Sequence, residues 1–317
     1  MEMKTFEVIK PGFFTTIQDL GRWGYQMYGI PVSGAMDRRS LRIANLLVGN
    51  DEGEACLEVT VYGLELKVLN DTVIAVTGGD LTPLRNGEPI PMWQPIRVRK
   101  GDIISFRGPK SGCRAYIAVS GGIDVPKVLG SRSTYVKGKF GGIEGRPLKP
   151  GDIIETKEPT VDILRVLARK LPEDFIPKFK PEVNVRVILG PQDDYFTENG
   201  IKTFLTSEYT ITVKSDRMGY RLQGPKIEYI EYNIISDACT RGSIQVLGDG
   251  MPIILMSDAQ TTGGYAKIAT VITPDMDLLG QAKPGDKVRF TQVSIEEAHT
   301  VLRKYEEEIK KIKELLQ

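Results

Sequence analysis

Three times along this chain a glycine–aspartate pair stands immediately ahead of a strand-like run: Lys100-Gly101-Asp102-Ile103-Ile104, Pro150-Gly151-Asp152-Ile153-Ile154 and Pro284-Gly285-Asp286-Lys287-Val288. Glycine adopts positive φ without steric cost, and an aspartate side chain bonds nearby backbone amides. Each unit therefore reads as a tight turn that launches a strand, and the three read equally as a repeat or as independent turns. Residues 86–92 (NGEPIPM) and 248–255 (GDGMPIIL) add a fainter echo, a glycine turn before a Pro-Ile strand. The chain has 33 glycines and 19 prolines in 317 residues, spread as punctuation rather than gathered in one tract. The pattern predicts many short strands joined by tight turns. The expected fold is mainly β, in two β-rich halves, with a few short helices and a C-terminal helix.

Individual elements follow. After Ser33-Gly34-Ala35-Met36-Asp37, an apolar face of Leu41, Ile43, Ala44, Leu47 and Val48 predicts a helix that stops at Gly49-Asn50. Residues 57–69, 72–76 and 102–106 are β-branched runs, and Asn86-Gly87 is a hairpin dipeptide. The proline-bearing stretch 158–183 reads as a linker with a short helix over 162–170. The boundary is placed near residue 160, giving domains 1–160 and 161–293 and a terminal helix over 294–317. Within the second half, strands are expected at 183–190, 209–213, 226–230 and 243–247, with a helical patch at 193–205. Ser294 and Glu297 form a capping box. Behind it Ile295, Ala298, Leu302, Tyr305, Ile309, Ile312 and Leu316 make a heptad stripe, either laid along its own domain or free to dock a partner subunit.

Composition removes whole classes of function. Lys and Arg total 42 against 41 Asp and Glu, a net charge of +1, which is not the balance of a nucleic-acid binder or a polybasic membrane-surface protein. The single histidine, His299, sits in the charged C-terminal segment. That argues against Ser-His-Asp, Cys-His and histidine-rich metal chemistry and leaves proton transfer to carboxylates, Lys, Tyr, Cys or a cofactor. No metal site is expected. Cys56, Cys113 and Cys239 show no CxxC spacing and read as reduced, buried thiols of a cytoplasmic protein. No signal core and no apolar run of membrane-spanning length is present, so neither export nor membrane insertion is expected. No GxxxxGK[ST], GxSxG, HExxH or internal biotinylation site occurs.

Four polar, glycine-bearing loops remain as carriers of chemistry. Residues 15–22 (TTIQDLGR) gather an amide, a carboxylate and a guanidinium. Residues 130–146 combine Ser131, Arg132, Ser133, Thr134 and Lys139 with several glycines, a composition that could cradle phosphate or carboxylate. Residues 215–221 set Asp216 beside Arg217, with Arg221 close behind. Residues 258–267 follow an apolar strand and emerge as Asp258, Gln260, Thr261, Thr262, Gly263, Gly264 and Lys267. Gln260 and the threonines can read an amide- or urea-like group, and Asp258 or Lys267 could move a proton.

The blocks PGFFTTIQDLGRWGYQMYGIPVSGAMD, SLRIANLLVGN, LGSRST, SDRMGYRL, GSIQV and SDAQTTGGYAKIATVI occur in this order. Together they resemble the carboxyltransferase-like family that includes the C-type subunit of 5-oxoprolinase, the Kip antagonist, allophanate hydrolase subunit 2 and part of urea carboxylase. The resemblance covers residues 5–292. It implies cyclophilin-like β-barrel architecture and a B-type companion, with a third, lamB-like subunit in the 5-oxoprolinase members. The leading expectation is an ATP-dependent amidohydrolase subunit that opens the 5-oxoproline lactam to glutamate, with ATP bound on this chain, at a subunit interface or on a partner, and with no biotin on this chain. Asp258, Gln260, Thr261, Thr262, Gly263 and Gly264 would line the substrate pocket. Lys267 and Arg217 would stabilise negative charge, with Asp216 orienting Arg217. Arg132, Ser133, Thr134 and Lys139 would hold phosphate or carboxylate. The alternatives are a carboxyltransferase module served by a separate biotin carrier, and a non-enzymatic regulator that binds a kinase inhibitor.

Overall fold

The three glycine–aspartate units adopt one turn. In the computed structural model, which describes residues 3–159 and 161–316, Gly101, Gly151 and Gly285 have φ of 95°, 85° and 95°. Each aspartate carboxylate accepts the amide three residues upstream, from Arg99 at 2.9 Å, Lys149 at 2.7 Å and Lys283 at 3.0 Å. Each aspartate amide donates back to that residue's carbonyl, and each glycine amide donates to a neighbouring strand, at Val68, Val8 and Ile211. The repeat reading therefore holds at the level of the turn. A Cβ at Gly101 or Gly285 meets no atom within 4 Å, so Gly285→Ala tests backbone conformation alone. It is expected to cost about 1–2 kcal/mol, the penalty of left-handed backbone. Chemical denaturation with an unchanged midpoint would show the turn does not need glycine.

The strands, in chain order, are β1 Met3–Pro11, β2 Phe14–Gln18, β3 Cys56–Thr60, β4 Leu64–Val68, β5 Thr72–Gly78, β6 Pro83–Arg85, β7 Glu88–Pro89, β8 Pro95–Val98, β9 Ile103–Phe106, β10 Arg114–Val119 and β11 Ile153–Thr156. They form two sheets, β11-β1-β4-β9-β6-β7 and β2-β3-β10-β5-β8. One core joins them, with Phe6, Val8, Leu66 and Ile104 from the first sheet and Ile17, Leu57, Val76 and Ile117 from the second. The helix α1, Arg38–Leu47, packs on β5 and β10. Strand β10 thus lies between the inner core and a helix, which is why all six of its residues are buried. Asp37 caps α1 by accepting the Ser40 amide at 2.9 Å. Asn86 and Gly87 both take positive φ in the β6–β7 turn, the hairpin geometry their sequence predicts.

The second unit is a closed barrel. Its strands are β12 Glu182–Leu189, β13 Tyr209–Ile211, β14 Gly219–Gln223, β15 Asn233–Ala238, β16 Ser243–Val246, β17 Pro252–Leu255, β18 Thr262–Tyr265, β19 Lys267–Val271 and β20 Lys287–Gln292. Seven of them close in the order β12-β19-β16-β17-β14-β13-β20, and β15 pairs with β18 in a separate ribbon. Inside the barrel Ile244, Ile254, Val187 and Val288 are fully buried or nearly so. The shorter helices are α2 Ile163–Leu167, α3 Glu198–Thr206 and α4 Met276–Gln281, and α5 runs Ile295–Leu315. The fold is mainly β, 34% strand against 20% helix. A strand expected at 226–230 is not formed. Only Tyr229 makes an isolated bridge there, to Phe196, while Ile227 is held singly by the Gly250 carbonyl.

The two compact units do not divide at residue 160, which itself lies outside the described residues. One comprises the chain through Arg22, Ser33–Phe179 and the end from Glu308; the other comprises Trp23–Val32 and Lys180–Glu307. Residues 161–179 join the first unit because Val166 and Leu171 are buried there. The Arg169 guanidinium also bonds the Leu46 carbonyl at 2.8 Å, and the Leu171 amide the Trp93 carbonyl. Most of the terminal stripe is laid along its own chain, while Ile295 at its start is 54% exposed. Ala298, Ile309, Ile312 and Leu316 are buried, Tyr305 donates to Asp277 at 2.7 Å, and Arg39 pairs with Glu308 at 2.9 Å. The capping box forms reciprocally: the Glu297 amide donates to Ser294 Oγ at 3.1 Å and the Ser294 amide to Glu297 Oε2 at 2.7 Å. His299 is exposed on α5.

Candidate functional site

The expected site residues fall into both units, and their environments differ. In the first unit the loop 130–134 is a clasp around a buried carboxylate. Asp19, 7% exposed, accepts Ser131 Oγ at 2.7 Å, Ser133 Oγ at 2.6 Å, the Arg132 amide at 2.6 Å and the Gly21 amide at 2.7 Å. Thr134 donates its hydroxyl and amide to the Ile17 carbonyl. The Arg132 guanidinium bonds the Val125 carbonyl at 3.0 Å and approaches Glu54. Lys139 is exposed on a turn closed by its own amide to the Val136 carbonyl. The expectation that Arg132, Ser133, Thr134 and Lys139 hold phosphate or carboxylate is corrected accordingly: the carboxylate that Ser133 and the Arg132 amide hold is this chain's own Asp19, while Thr134 and Lys139 do not touch it. Ser131, Ser133 and the Arg132 amide already hold Asp19, and Thr134 a backbone carbonyl, so residues 131–134 are not a free anion cradle.

In the second unit the sequence candidates do converge. Lys267 opens β19 and is 2% exposed. Its ammonium donates to Asp237 Oδ2 at 2.8 Å and has no other partner among the described residues. An ammonium carries three donors, so two remain for a ligand. Two amide side chains, Gln192 and Gln245, neighbour it, and a third, Gln260, joins through Gln245. Gln192 accepts the Lys267 amide on Oε1 at 3.1 Å and reaches Asp237 through Nε2 at 3.3 Å. Gln245, on β16 and 3% exposed, donates to the Tyr265 carbonyl at 3.3 Å. Gln260 donates to Gln245 Oε1 at 3.3 Å. Cys239 Sγ lies 3.6 Å from Gln245 Nε2, and burial pushes its thiol pKa up, which keeps it protonated and unreactive at neutral pH.

Ile244 and Val246 point into the barrel, so Gln245, between them, faces out beneath the β15–β18 ribbon. A Cβ on Gly263 would stand 2.6 Å from Gln245 Nε2. Gly263 therefore serves close approach of the ribbon rather than ligand contact. The Thr261 carbonyl accepts the Cys239 amide, and Thr262 pairs with Ala238. Both residues build the ribbon and its entry rather than a pocket wall, and Gly264 lies in the same strand.

Arg217 and Asp258 form a buried, two-point pair, with Nε to Oδ2 at 2.8 Å and Nη2 to Oδ1 at 3.1 Å. Asp258 is therefore committed to Arg217 and positions the chain leading to Gln260. It is not the proton carrier expected from sequence. Asp216 does not orient Arg217. It is exposed, and its carboxylate accepts the Met218 amide at 2.7 Å and the Gly219 amide at 3.3 Å in a tight turn. Asp237 and the residues Gln192 and Gln245 escaped sequence reading. Nothing in their local patterns marks them, because they meet Lys267 only through barrel closure and ribbon pairing. Among the described residues no cluster of His, Cys, Asp and Glu could hold a metal ion, and no helix is long and apolar enough to cross a membrane.

The class that the geometry defines is a chain of two units, one with two packed sheets and one a closed barrel carrying a buried lysine among amide side chains. Residues 28–292 match the carboxyltransferase domain, subdomains A and B, and the chain belongs to that family. It is 37% identical to the C subunit of 5-oxoprolinase from Escherichia coli over 92% of each chain. It is 35% identical to urea amidolyase of Saccharomyces cerevisiae over 98% of this chain but only 18% of that much longer protein. The crystal structure of Kluyveromyces lactis urea carboxylase superposes with a TM-score of 0.92 at 33% identity, covering 98% of this chain and 29% of that one. The first of these relatives is one subunit of an enzyme, and in the other two the matching part is a segment of a longer chain.

Proposed function

We propose that this chain is the C-type subunit of a 5-oxoprolinase, acting in the cytoplasm with a B-type companion and a third, lamB-like subunit to open 5-oxoproline to glutamate at the expense of ATP. The observation that carries this reading is the two-sided match, 92% of both chains, to the C-type subunits from Escherichia coli and Haemophilus influenzae. The geometry agrees with it. A lactam is a cyclic amide, and Gln192, Gln245 and Gln260 offer paired amide donors and acceptors. Beside them the Lys267 ammonium can stabilise charge that develops on the carbonyl oxygen. Arg217 and Asp258 fix the approach to Gln260. No phosphate-binding step is assigned to this chain, since the loop 130–134 is occupied by Asp19. The test is reconstitution: the chain, mixed with both companions, is expected to convert 5-oxoproline to glutamate with matching ADP release. Absence of turnover where an authentic three-subunit enzyme works would overturn it.

A second reading is favoured by one observation. The fit to the urea carboxylase structure spans 98% of this chain. In that case the same amide-reading site would take urea and receive a carboxyl group from carboxybiotin on a separate carrier. Urea-dependent loss of label from a carboxybiotin carrier, with 5-oxoproline inert, would select it.

A further inference from the structure

The barrel unit carries a concave surface that the residues around Lys267 do not line. It is a groove of about 610 Å³ built on strands β14 and β17 and the loops at residues 212–214, 224–226 and 247–251. Its floor is apolar, formed by Leu222, Met251, Pro252 and Ile253, and Val213 stands at its edge 86% exposed. Lys214, Arg221 and Lys226 line it too. All three are exposed, and none has an ion pair or side-chain hydrogen bond among the described residues. The one acid in the lining, Asp249, is turned to the Met251 amide at 2.9 Å. The Thr212 hydroxyl, also in the lining, is buried with no hydrogen-bond partner among the described residues. Most buried hydroxyls are satisfied.

Three cations without a counter-charge are gathered here around one partly apolar surface. The chain's charges nearly cancel, and elsewhere in the barrel unit basic side chains such as Arg186, Lys283 and Arg289 are paired with acids. A small anion is poorly served here. Small-ligand sites enclose their ligand and converge a few fixed polar groups on it, whereas these three cations sit on exposed, flexible stems around an apolar floor. Apolar floor and unpaired basic rim instead complement a chain segment that presents apolar side chains between acidic ones.

We propose that this groove seats an acidic, apolar-bearing segment of the B-type companion. The proposal rests on reading the chain as one subunit of an assembly. Association steered by three unpaired cations should weaken as salt rises.

The experiment measures binding of the purified B-type companion to the full chain and to its triple variant Lys214→Glu, Arg221→Glu, Lys226→Glu, at low and high salt. The expected result is a complex that weakens with salt and a triple variant at least about tenfold weaker, one decade being about 1.4 kcal/mol. Melting temperatures of the two proteins establish that the variant is folded. Acetylation footprinting should show Lys214 and Lys226 protected in the complex while Lys202, an exposed lysine on α3, stays reactive. Equal binding by the variant, or no protection of Lys214 and Lys226, overturns the groove assignment and leaves the assembly reading intact. Protection of both lysines by ATP or pyrophosphate alone would overturn it in favour of a small-anion site. If the unaltered chain forms no complex with the companion, the assembly reading and this inference fall together.

Discussion

Replacing Asp19 by alanine should destabilise the first unit by about 4 kcal/mol or more, among the largest effects expected of a single substitution in this chain. Asp19 accepts four hydrogen bonds within its clasp, from two serine hydroxyls and two backbone amides. Ser131 and Ser133 are fully buried, so water cannot take the place of the lost acceptor. Each buried donor left without a partner costs about 1–3 kcal/mol. Ordinary domains are stable by only about 5–15 kcal/mol. At about 2–4 °C per kcal/mol for a unit of this size, the melting temperature should fall by roughly 10 °C. Asp19→Asn keeps the shape and one acceptor oxygen, and should lose about half as much. Calorimetry that places Asp19→Ala within about 1 kcal/mol of the unaltered chain would contradict the clasp. The same instrument decides what the loop is for. A phosphate site at Arg132–Thr134 would raise the melting temperature as phosphate is added; the clasp predicts no rise.

What the sequence made legible was local. The glycine–aspartate turn is written within four residues, because the aspartate and the residue three upstream supply each other's partners, and all three copies fold as one geometry. The Asp37 cap of α1 and the Ser294–Glu297 capping box are legible for the same reason. Apolar periodicity likewise exposed α1 and the terminal stripe, because burial of one face dictates the spacing. Contacts made across long sequence separation stayed hidden. Ser131, Arg132 and Ser133 look like a free anion cradle until Asp19, more than a hundred residues upstream, is placed among them. Asp258 looks like an available carboxylate until Arg217 is placed against it, 41 residues away. The pairing of Lys267 with Asp237 required both barrel closure and a bulged ribbon, in which Asn233 pairs with Tyr265 and Asp237 with Gly263. The residues 226–230 alternate like a strand yet remain outside the barrel, whose seven strands close without them.

Lys267→Met is expected to abolish most turnover of the assembled enzyme while leaving the barrel folded. The side chain is 2% exposed, and methionine fills a similar volume without the ammonium, a kind of exchange that cores tolerate at less than about 1.5 kcal/mol. Its partner Asp237 is about half exposed, with 49% of its side chain accessible, and water can solvate the carboxylate once the lysine is gone. Loss of one preorganised group that stabilises developing charge lowers kcat by about a hundred- to a thousandfold. Lys267→Arg keeps the charge but moves it, and should recover only part of that loss. Asp237→Asn separates positioning from charge: it should lower kcat less than Lys267→Met and change the pH profile. The hydrogen bond from Lys267 is the largest cause holding the Asp237 carboxyl below its ordinary value of 3.8. The ion pair is therefore complete at neutral and mildly acidic pH and is lost only as pH falls below the ordinary carboxylate range. An acid limb of activity that lies below about pH 4 in the unaltered enzyme, and disappears in Asp237→Asn, is the expected signature. Full turnover by Lys267→Met in the complete assembly, at unchanged KM, would remove Lys267 from the chemistry.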